Sequence, residues 1–259
     1  MKRFSLKNKV AVITGGSGFF GKQICNSLLE LNCKVISLDI NGKKVSKQKS
    51  KNKNIENILV DITNEKQMEI KTKYIIKKYK KIDILVNNAA IDFKPKKGLK
   101  NSPFEKTTLE NWFYEINVGL TGAFICSKLI CKYMMKKKSG IILNISSDLS
   151  IIAPDQRLYS HLGSFKPITY SVIKHGIVGL TKYLASYLGK YKIRVNCISP
   201  GGIENNQEKI FLKKIKKLIP LGRMAKKNEY KEIIQFLCTD SSSYMTGQNI
   251  VMDGGRSII

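Results

Sequence analysis

The 259 residues, 42% of them hydrophobic, suffice to bury a full core, as one large domain or two small ones. No run of eighteen apolar residues offers a membrane span, and six cysteines without a CxxC pair, beside only His161 and His175, exclude a zinc or other metal centre and a disulfide framework. A formal charge of +27 invites a polyanion, yet only five of the 46 basic residues are arginine and the lysine runs at 43–54 and 213–217 carry no interleaved aromatics, so the excess reads as solvated surface with no specific nucleic-acid site.

The chain starts with a five-residue apolar run before glycines, too short for a signal peptide, and a cytoplasmic protein with reduced, mostly buried thiols is expected. Apolar, β-branched runs at 9–14, 33–39, 57–62, 82–88, 140–146, 193–199 and 249–255 predict seven strands. Amphipathic stretches near 20–31, 65–80, 108–136, 170–190 and 228–238 predict the helices between them. Continuous rather than alternating hydrophobicity is what a parallel sheet covered on both faces requires. With no linker and no repeat, residues 1–259 read as one α/β domain, a doubly wound seven-stranded parallel sheet with helices on both faces.

The first crossing, TGGSGFFG from Thr14 to Gly21, follows a strand and opens a helix. Gly15, Gly18 and Gly21 allow a tight turn and let the backbone approach a pyrophosphate at the helix N-terminus, where unpaired N–H groups and the dipole favour anions. Strand two ends in Asp39, eighteen residues after Gly21. A carboxylate there accepts hydrogen bonds from an adenosine ribose diol and repels a 2′-phosphate, which predicts NAD over NADP; Lys43 and Lys44 close by work against that preference.

Two tyrosines compete as partners for the serines at 146 and 147. Tyr159 sits among Pro154, Gly163 and Pro167, which oppose a helix. Tyr170 is followed at i+4 by Lys174 and then by a good helical pattern, so both side chains share one face. A phenol is a poor acid-base group at neutral pH, but an adjacent ammonium stabilises its phenolate. Tyr170 is therefore the chemically competent one.

TGGSGFFG, the DI at 61–62, NNAA at 87–90, Asn117, NISS at 144–147, YSVIK at 170–174, SPGG at 199–202 and the closing MDGG together resemble the ordered motif series of the short-chain dehydrogenase/reductase family over nearly the whole chain. The resemblance implies a Rossmann fold with Tyr170 as acid/base, Lys174 holding the nicotinamide ribose and tuning Tyr170, Ser147 bonding the reacting oxygen and Asn117 anchoring a relay water. It further implies cofactor contacts from Ser17, Phe19, Ile62, Ala89, Pro200, Gly201, Gly202 and Ile203, from Asp61 at the adenine edge, and from Asn87 at the cofactor or the sheet centre. Assembly as a homotetramer or homodimer, through the helices carrying Asn117 and Tyr170 and the C-terminal segment, is also implied.

Two departures stand out. Ser147 and Tyr170 are 23 residues apart, about ten more than the resemblance leads one to expect, so residues 148–168 form an insert. It carries Asp155, Gln156, Arg157, His161 and Lys166, and with both ends anchored at the reacting centre it is expected to recognise substrate through Arg157 and His161; packing against a neighbouring subunit is the alternative. The second departure is IENNQ after SPGG, without the threonine expected to meet the nicotinamide amide. Within the family, the insert and the chain's ending resemble dehydrogenases of bacterial surface-sugar and flagellin-modification pathways. The expected activity is NAD-dependent interconversion of a secondary alcohol and a ketone on a sugar or sugar phosphate. A 3-oxoacyl carrier-protein reductase and a non-catalytic nucleotide- or polyanion-binding protein are the alternatives.

Overall fold

In the computed structural model, described over residues 4–47, 52–91 and 102–259, the seven apolar runs become seven strands. They are β1 (Val10–Thr14), β2 (Lys34–Asp39), β3 (Ile55–Leu59), β4 (Ile84–Asn87), β5 (Gly140–Ile145), β6 (Ile193–Pro200) and β7 (Asn249–Met252). All pair in parallel, in the order β3-β2-β1-β4-β5-β6-β7. The helices are α1 (Phe19–Leu29), α2 (Gly42–Lys47), α3 (Glu65–Tyr79), α4 (Leu109–Ile116), α5 (Gly122–Lys137), α6 (Ile168–Leu188), α7 (Lys209–Lys216) and α8 (Lys231–Leu237).

Successive strand residues point to opposite faces, and both faces are apolar. On one, Val10, Val12, Leu85 and Ile142 pack with Met68 and Ile75 of α3, Ile130 and Met134 of α5 and Leu188 of α6. On the other, Ala11, Ile13, Val86 and Leu143 meet Ile24 and Leu28 of α1 and Ile234 and Leu237 of α8. Each fully buried aliphatic side chain stabilises the fold by about 1.5–3 kcal/mol before conformational entropy is counted. The six cysteines are buried, five of them in these layers and Cys197 in a smaller cluster with Ala123, Ile173 and Ile177. Loss of hydration raises the thiols of Cys25, Cys33 and Cys126 to about 12 and that of Cys197 to about 11, so they are neutral at physiological pH.

The structure redraws several expected boundaries. Strand three stops at Leu59 because Asp61 closes a local turn, its Oδ1 accepting from the Thr63 N–H at 2.9 Å and the Thr63 hydroxyl at 2.7 Å. Strand seven stops at Met252 because Gly254 and Gly255 take φ of 71° and 90°. The expected helix at 108–136 is a 29-residue run, Leu109–Lys137, interrupted by a π-turn at Asn117–Thr121. By length and composition this run passes for a membrane span, but 56% of its apolar window is buried inside the fold, as in a core helix. The short helices α2 and α7 were not expected.

The insert folds as three 3-10 turns, Asp148–Ser150, Gln156–Leu158 and Ser160–Leu162, closed by Gly163 at φ 55°. Leu158 shares a small separate core with Ile215, Ile219 and Met224, and the Tyr159 ring lies 5.7 Å from that of Phe211 on α7. Lys214 of α7 donates to the Arg157 carbonyl at 2.8 Å and the Ser160 hydroxyl at 2.9 Å. Insert and α7 are thus one cap.

Candidate active site

The order of the sheet reverses between β1 and β4, and a parallel sheet leaves a crevice beyond the carboxyl ends of its strands at such a point. The turn out of β1 fills one side of it. Gly15 takes φ 64°, and a Cβ there would lie 2.9 Å from the Ala89 Cα; at Gly21 a Cβ would lie 2.1 Å from the Gly15 carbonyl oxygen. Gly18 caps α1 without a side-chain hydrogen bond, and no acidic residue occupies the first turn. That leaves a helix N-terminus suited to an anion.

The glycine turn is pinned from both flanks. From β2, Asp39 accepts the Ser17 N–H on Oδ2 and the Asn41 N–H on Oδ1, each at 3.0 Å. From β4, the Thr14 hydroxyl accepts the Asn88 and Ala89 N–H groups at 3.0 Å, and the Asn88 amide donates to the carbonyls of Thr14 at 3.0 Å and Gly15 at 3.2 Å. Asn88 was not singled out from the sequence, although it is the second asparagine of the NNAA motif. Its neighbour Asn87 points the other way, donating to Asn144 Oδ1 at 2.8 Å and the Ser127 hydroxyl at 3.0 Å, while Asn144 donates to the Thr181 hydroxyl at 2.8 Å. Of the two roles left open for Asn87, this is the one at the sheet centre.

A cleft of about 960 Å³ runs across the strand ends. Gly15, Gly18, Phe19, Gly21, Asp39, Asp61, Ile62 and Ala89 line one end, and Asn117, Ser147, Tyr170, Lys174 and the segment Pro200, Gly201, Gly202 and Ile203 line the middle. Ser17 and Asn87 lie outside the lining; the Ser17 backbone acts through Asp39. The Lys44 side chain, residues 48–51 of the first lysine run and Arg3 lie outside the described residues.

Tyr170 and Lys174 sit one turn apart on α6. Lys174 is buried, its Nζ donating to the Ile145 carbonyl at 3.0 Å and lying 5.5 Å from the Tyr170 ring centroid. The Ser146 hydroxyl donates to the Lys174 carbonyl at 2.7 Å, tying α6 to the end of β5. Helix α6 also packs hard on the π-turn: a Cβ at Gly119 would lie 2.7 Å from Ile173, and one at Gly176 would lie 2.9 Å from Leu120. Asn117 opens that turn, where the Gly122 N–H reaches back to the Asn117 carbonyl. Such turns displace backbone groups from the regular ladder and concentrate at functional sites.

Ser147 is held by its neighbour. Its hydroxyl donates to Asp148 Oδ1 at 2.8 Å and accepts from the Leu149 N–H at 3.2 Å, while Asp148 Oδ2 accepts from Arg256 Nη1 at 2.8 Å. Both members of this ion pair are buried, with 8% and 5% of their side chains exposed. Sequence reading missed the pair; an arginine in so lysine-rich a chain was the available signal. On the C-terminal side, a Cβ at Gly201 would lie 2.7 Å from the Asp253 Cα, which requires glycine at this close approach. Where the expected threonine is missing, Asn205, Asn206 and Gln207 line the cleft, and Gln207 Nε2 donates to the Ile203 carbonyl at 2.8 Å.

The expected substrate contacts of the insert are corrected. Arg157 and His161 do not line the cleft; Tyr159, Leu162 and Lys166 do. Asp155 begins the same 3-10 turn and captures the Arg157 guanidinium at 2.9 Å and 2.8 Å, leaving Arg157 87% exposed on the outside. His161 turns toward Glu208, 3.5 Å away at the head of α7.

Residues 18–257 match the family described as enoyl-(acyl carrier protein) reductase. The chain is also 32% identical to the 3-oxoacyl-[acyl-carrier-protein] reductase FabG of Thermotoga maritima, over 98% of this chain and 99% of that protein. The chain belongs to the short-chain dehydrogenase/reductase family. Another relative within reach of this family member is the post-translational flagellin modification protein A of Campylobacter coli, 31% identical over 96% of this chain and 98% of that protein. Among solved structures, a short chain dehydrogenase of Leptospira borgpetersenii with bound NAD+ superposes with a TM-score of 0.89 at 36% identity, covering 99% of this chain and 96% of that one. Like its family, this short-chain dehydrogenase/reductase is an NAD(P)-dependent oxidoreductase. Its own residues fit a dinucleotide: the Cβ-free cradle at Gly15 and Gly21 admits a close backbone approach, and the start of α1, with no acidic residue in its first turn, suits a pyrophosphate.

Proposed function

We propose that this enzyme uses NAD(H) to interconvert a secondary alcohol and a ketone on a sugar or sugar phosphate. The observation that carries this reading is the convergence, in one cleft, of Asn117, Ser147, Tyr170 and Lys174 with the glycine cradle and Asp39. Gly15, Gly18 and Gly21 suit the pyrophosphate, Asp39 the adenosine ribose, Asp61 and Ile62 the adenine, and Ala89 with Pro200 to Ile203 the nicotinamide side. Asp39 repels a 2′-phosphate, which favours NAD over NADP. When bound, the cofactor supplies a hydride acceptor or donor.

The chain's own task is to handle a proton and a developing charge. Tyr170 Oη takes the hydroxyl proton in the oxidative direction and returns it in the reductive one, with the Lys174 ammonium favouring the phenolate. In this reading the Ser147 hydroxyl turns from Asp148 Oδ1 to hydrogen-bond the reacting oxygen, and Asn117 holds a relay water. Asn205 and Asn206 in the cleft wall suit the hydroxyls of a sugar. The T. maritima relative favours a second reading, a 3-oxoacyl carrier-protein reductase, which Asp39 weakens because reductive biosynthesis usually draws on the 2′-phosphorylated cofactor.

The same reading includes self-association. Phe113 on α4, Phe124 on α5 and the stacked Tyr183 and Tyr187 on α6 are exposed, an apolar face suited to a second copy in a homodimer or homotetramer.

The test is a screen of NAD+ reduction with sugars, sugar phosphates and nucleotide sugars, run beside NADH and NADPH oxidation with a 3-oxoacyl thioester. Turnover of the thioester alone would sink the sugar reading. Tyr170→Phe is expected to lower kcat by about 10²–10⁴ with NADH binding retained, whereas Tyr159→Phe keeps most turnover.

A further inference from the structure

The last turn of the chain is tied to the reacting centre. Asp253 accepts the Gly255 N–H on Oδ1 at 2.9 Å and the Ser257 N–H on Oδ2 at 2.7 Å, so the backbone is held on either side of Arg256. From there Arg256 Nη1 donates to Asp148 Oδ2 at 2.8 Å. The other oxygen of Asp148 takes two donors, the Ser147 hydroxyl at 2.8 Å and the Leu149 N–H at 2.9 Å. That N–H is shared, reaching Ser147 Oγ at 3.2 Å as well. The Ser147 backbone is fixed too, its carbonyl accepting the Ser150 N–H at 2.9 Å and the Ser150 hydroxyl at 2.7 Å. Ser147, Asp148 and Arg256 all line the cleft.

We propose that Asp148, secured by Arg256, is a positioning residue for Ser147, and that the C-terminal turn thereby belongs to the working site. This inference rests on the oxidoreductase reading above and adds how the serine is held ready. A serine hydroxyl has one proton on a rotor that turns to suit its surroundings. Here the proton rests on a fixed acceptor, Asp148 Oδ1, and the Leu149 N–H steadies the oxygen. Turning the proton to the reacting oxygen then moves no heavy atom. Asp148 is not stranded by that turn, because Oδ1 keeps the Leu149 N–H and Oδ2 keeps Arg256. This is what the arginine supplies: a buried carboxylate without its counter-charge would cling to the serine proton. Geometry held in advance lowers the cost of organising the site at the moment of reaction.

The test is a double-mutant cycle on kcat, with rates taken per NADH-binding site so that misfolded protein is not counted. The probe is the substrate with the highest kcat/KM among the sugars, sugar phosphates, nucleotide sugars and 3-oxoacyl thioester of the screen above. Asp148→Leu with Arg256→Met removes the whole pair and leaves no buried charge. Its kcat is expected to fall about tenfold, with KM and NADH affinity within about twofold, as when an interaction of the transition state is weakened. In a Ser147→Ala background the same two substitutions should change kcat by less than about twofold, because no hydroxyl is left to hold. Asp148→Asn with Arg256→Met, which returns an oxygen acceptor, should bring kcat back to within about threefold of the wild type. Unchanged kcat on removal of the pair, an equal loss in the Ser147→Ala background, or Asp148→Asn no better than Asp148→Leu overturns the proposal and leaves the pair a structural one. If removal of the pair abolishes NADH binding, Arg256→Lys takes its place in the cycle, with an expected loss of about threefold that Ser147→Ala again cancels. A wild type that turns over no probe sinks the oxidoreductase reading and this inference with it, whereas turnover with an additive cycle sinks this inference alone.

Discussion

Around the glycine turn the cleft wall is backbone, held by three side chains on its flanks: the Asp39 carboxylate takes the Ser17 N–H, the Thr14 hydroxyl takes the Asn88 and Ala89 N–H groups, the Asn88 amide meets the Thr14 and Gly15 carbonyls, and the decisive feature of Gly15 and Gly21 is a missing Cβ. The cap at the other end is shaped by side chains, with Leu158 in a private core, Lys214 reaching across to Arg157 and Ser160, and Gln156 clasping Lys166. A backbone-built wall keeps its shape under most substitutions and is broken by adding an atom. A side-chain-built wall is broken by removing one, and can be rebuilt around a different substrate while the sheet beneath it stays the same.

Five substitutions, two of them paired in one test, sharpen or break this contrast. The largest effect belongs to Arg256→Met, which strands Asp148 as a buried charge beside Ser147 and is expected to cost about 3–5 kcal/mol in urea unfolding. Adding Asp148→Asn should recover more than half of that; simple additivity of the two losses would show that the pair is not a unit. Next is Gly21→Ala, whose new methyl must displace the Gly15 carbonyl. NADH affinity is expected to fall about thirtyfold, equivalent to about 2 kcal/mol of displaced packing, and a variant that titrates like the wild type would refute a backbone-built cradle.

A smaller change is expected for Asp39→Asn, which keeps an acceptor for the Ser17 N–H but removes the charge that opposes a 2′-phosphate. The ratio of NADPH to NADH dissociation constants should narrow by about three- to fivefold. A ratio that stays fixed means another group sets cofactor choice, with Lys43 the first to examine. The smallest effect is Arg157→Ala. Its guanidinium is outside the cleft and held by Asp155, whose carboxyl is lowered by the Arg157 hydrogen bonds, so KM should change less than about twofold, as for an exposed ion pair. A large rise in KM would return Arg157 to the substrate.

The backbone-built region was the legible one. Strand runs, the glycine turn, Asp39 and the Tyr170–Lys174 pair obey local periodicity and spacing, and a parallel sheet brings their ends together in one crevice whatever the surface residues are. The side-chain-built region was not. Arg157 looked available because its capture by Asp155 is a matter of turn geometry, and Arg256 looked remote because 108 positions separate it from Asp148. Helix α7 was hidden by its lysines, and nothing local in SHLGSFK says that Leu162 and Lys166 face inward while His161 turns to Glu208.

The buried thiols give the enzyme an internal clock. A neutral sulfhydryl behind packed helices cannot meet an alkylating reagent until its layer opens, so the labelling rate at each cysteine measures local opening rather than intrinsic reactivity. Cys25 lies beneath the glycine turn, its Sγ 3.8 Å from the Gly16 carbonyl, Cys126 is in the layer with α3 and α5, and Cys238 is in the layer with α8. One alkylation time course with peptide mapping therefore resolves the breathing of both faces of the sheet in the unmodified protein, with no engineered probe.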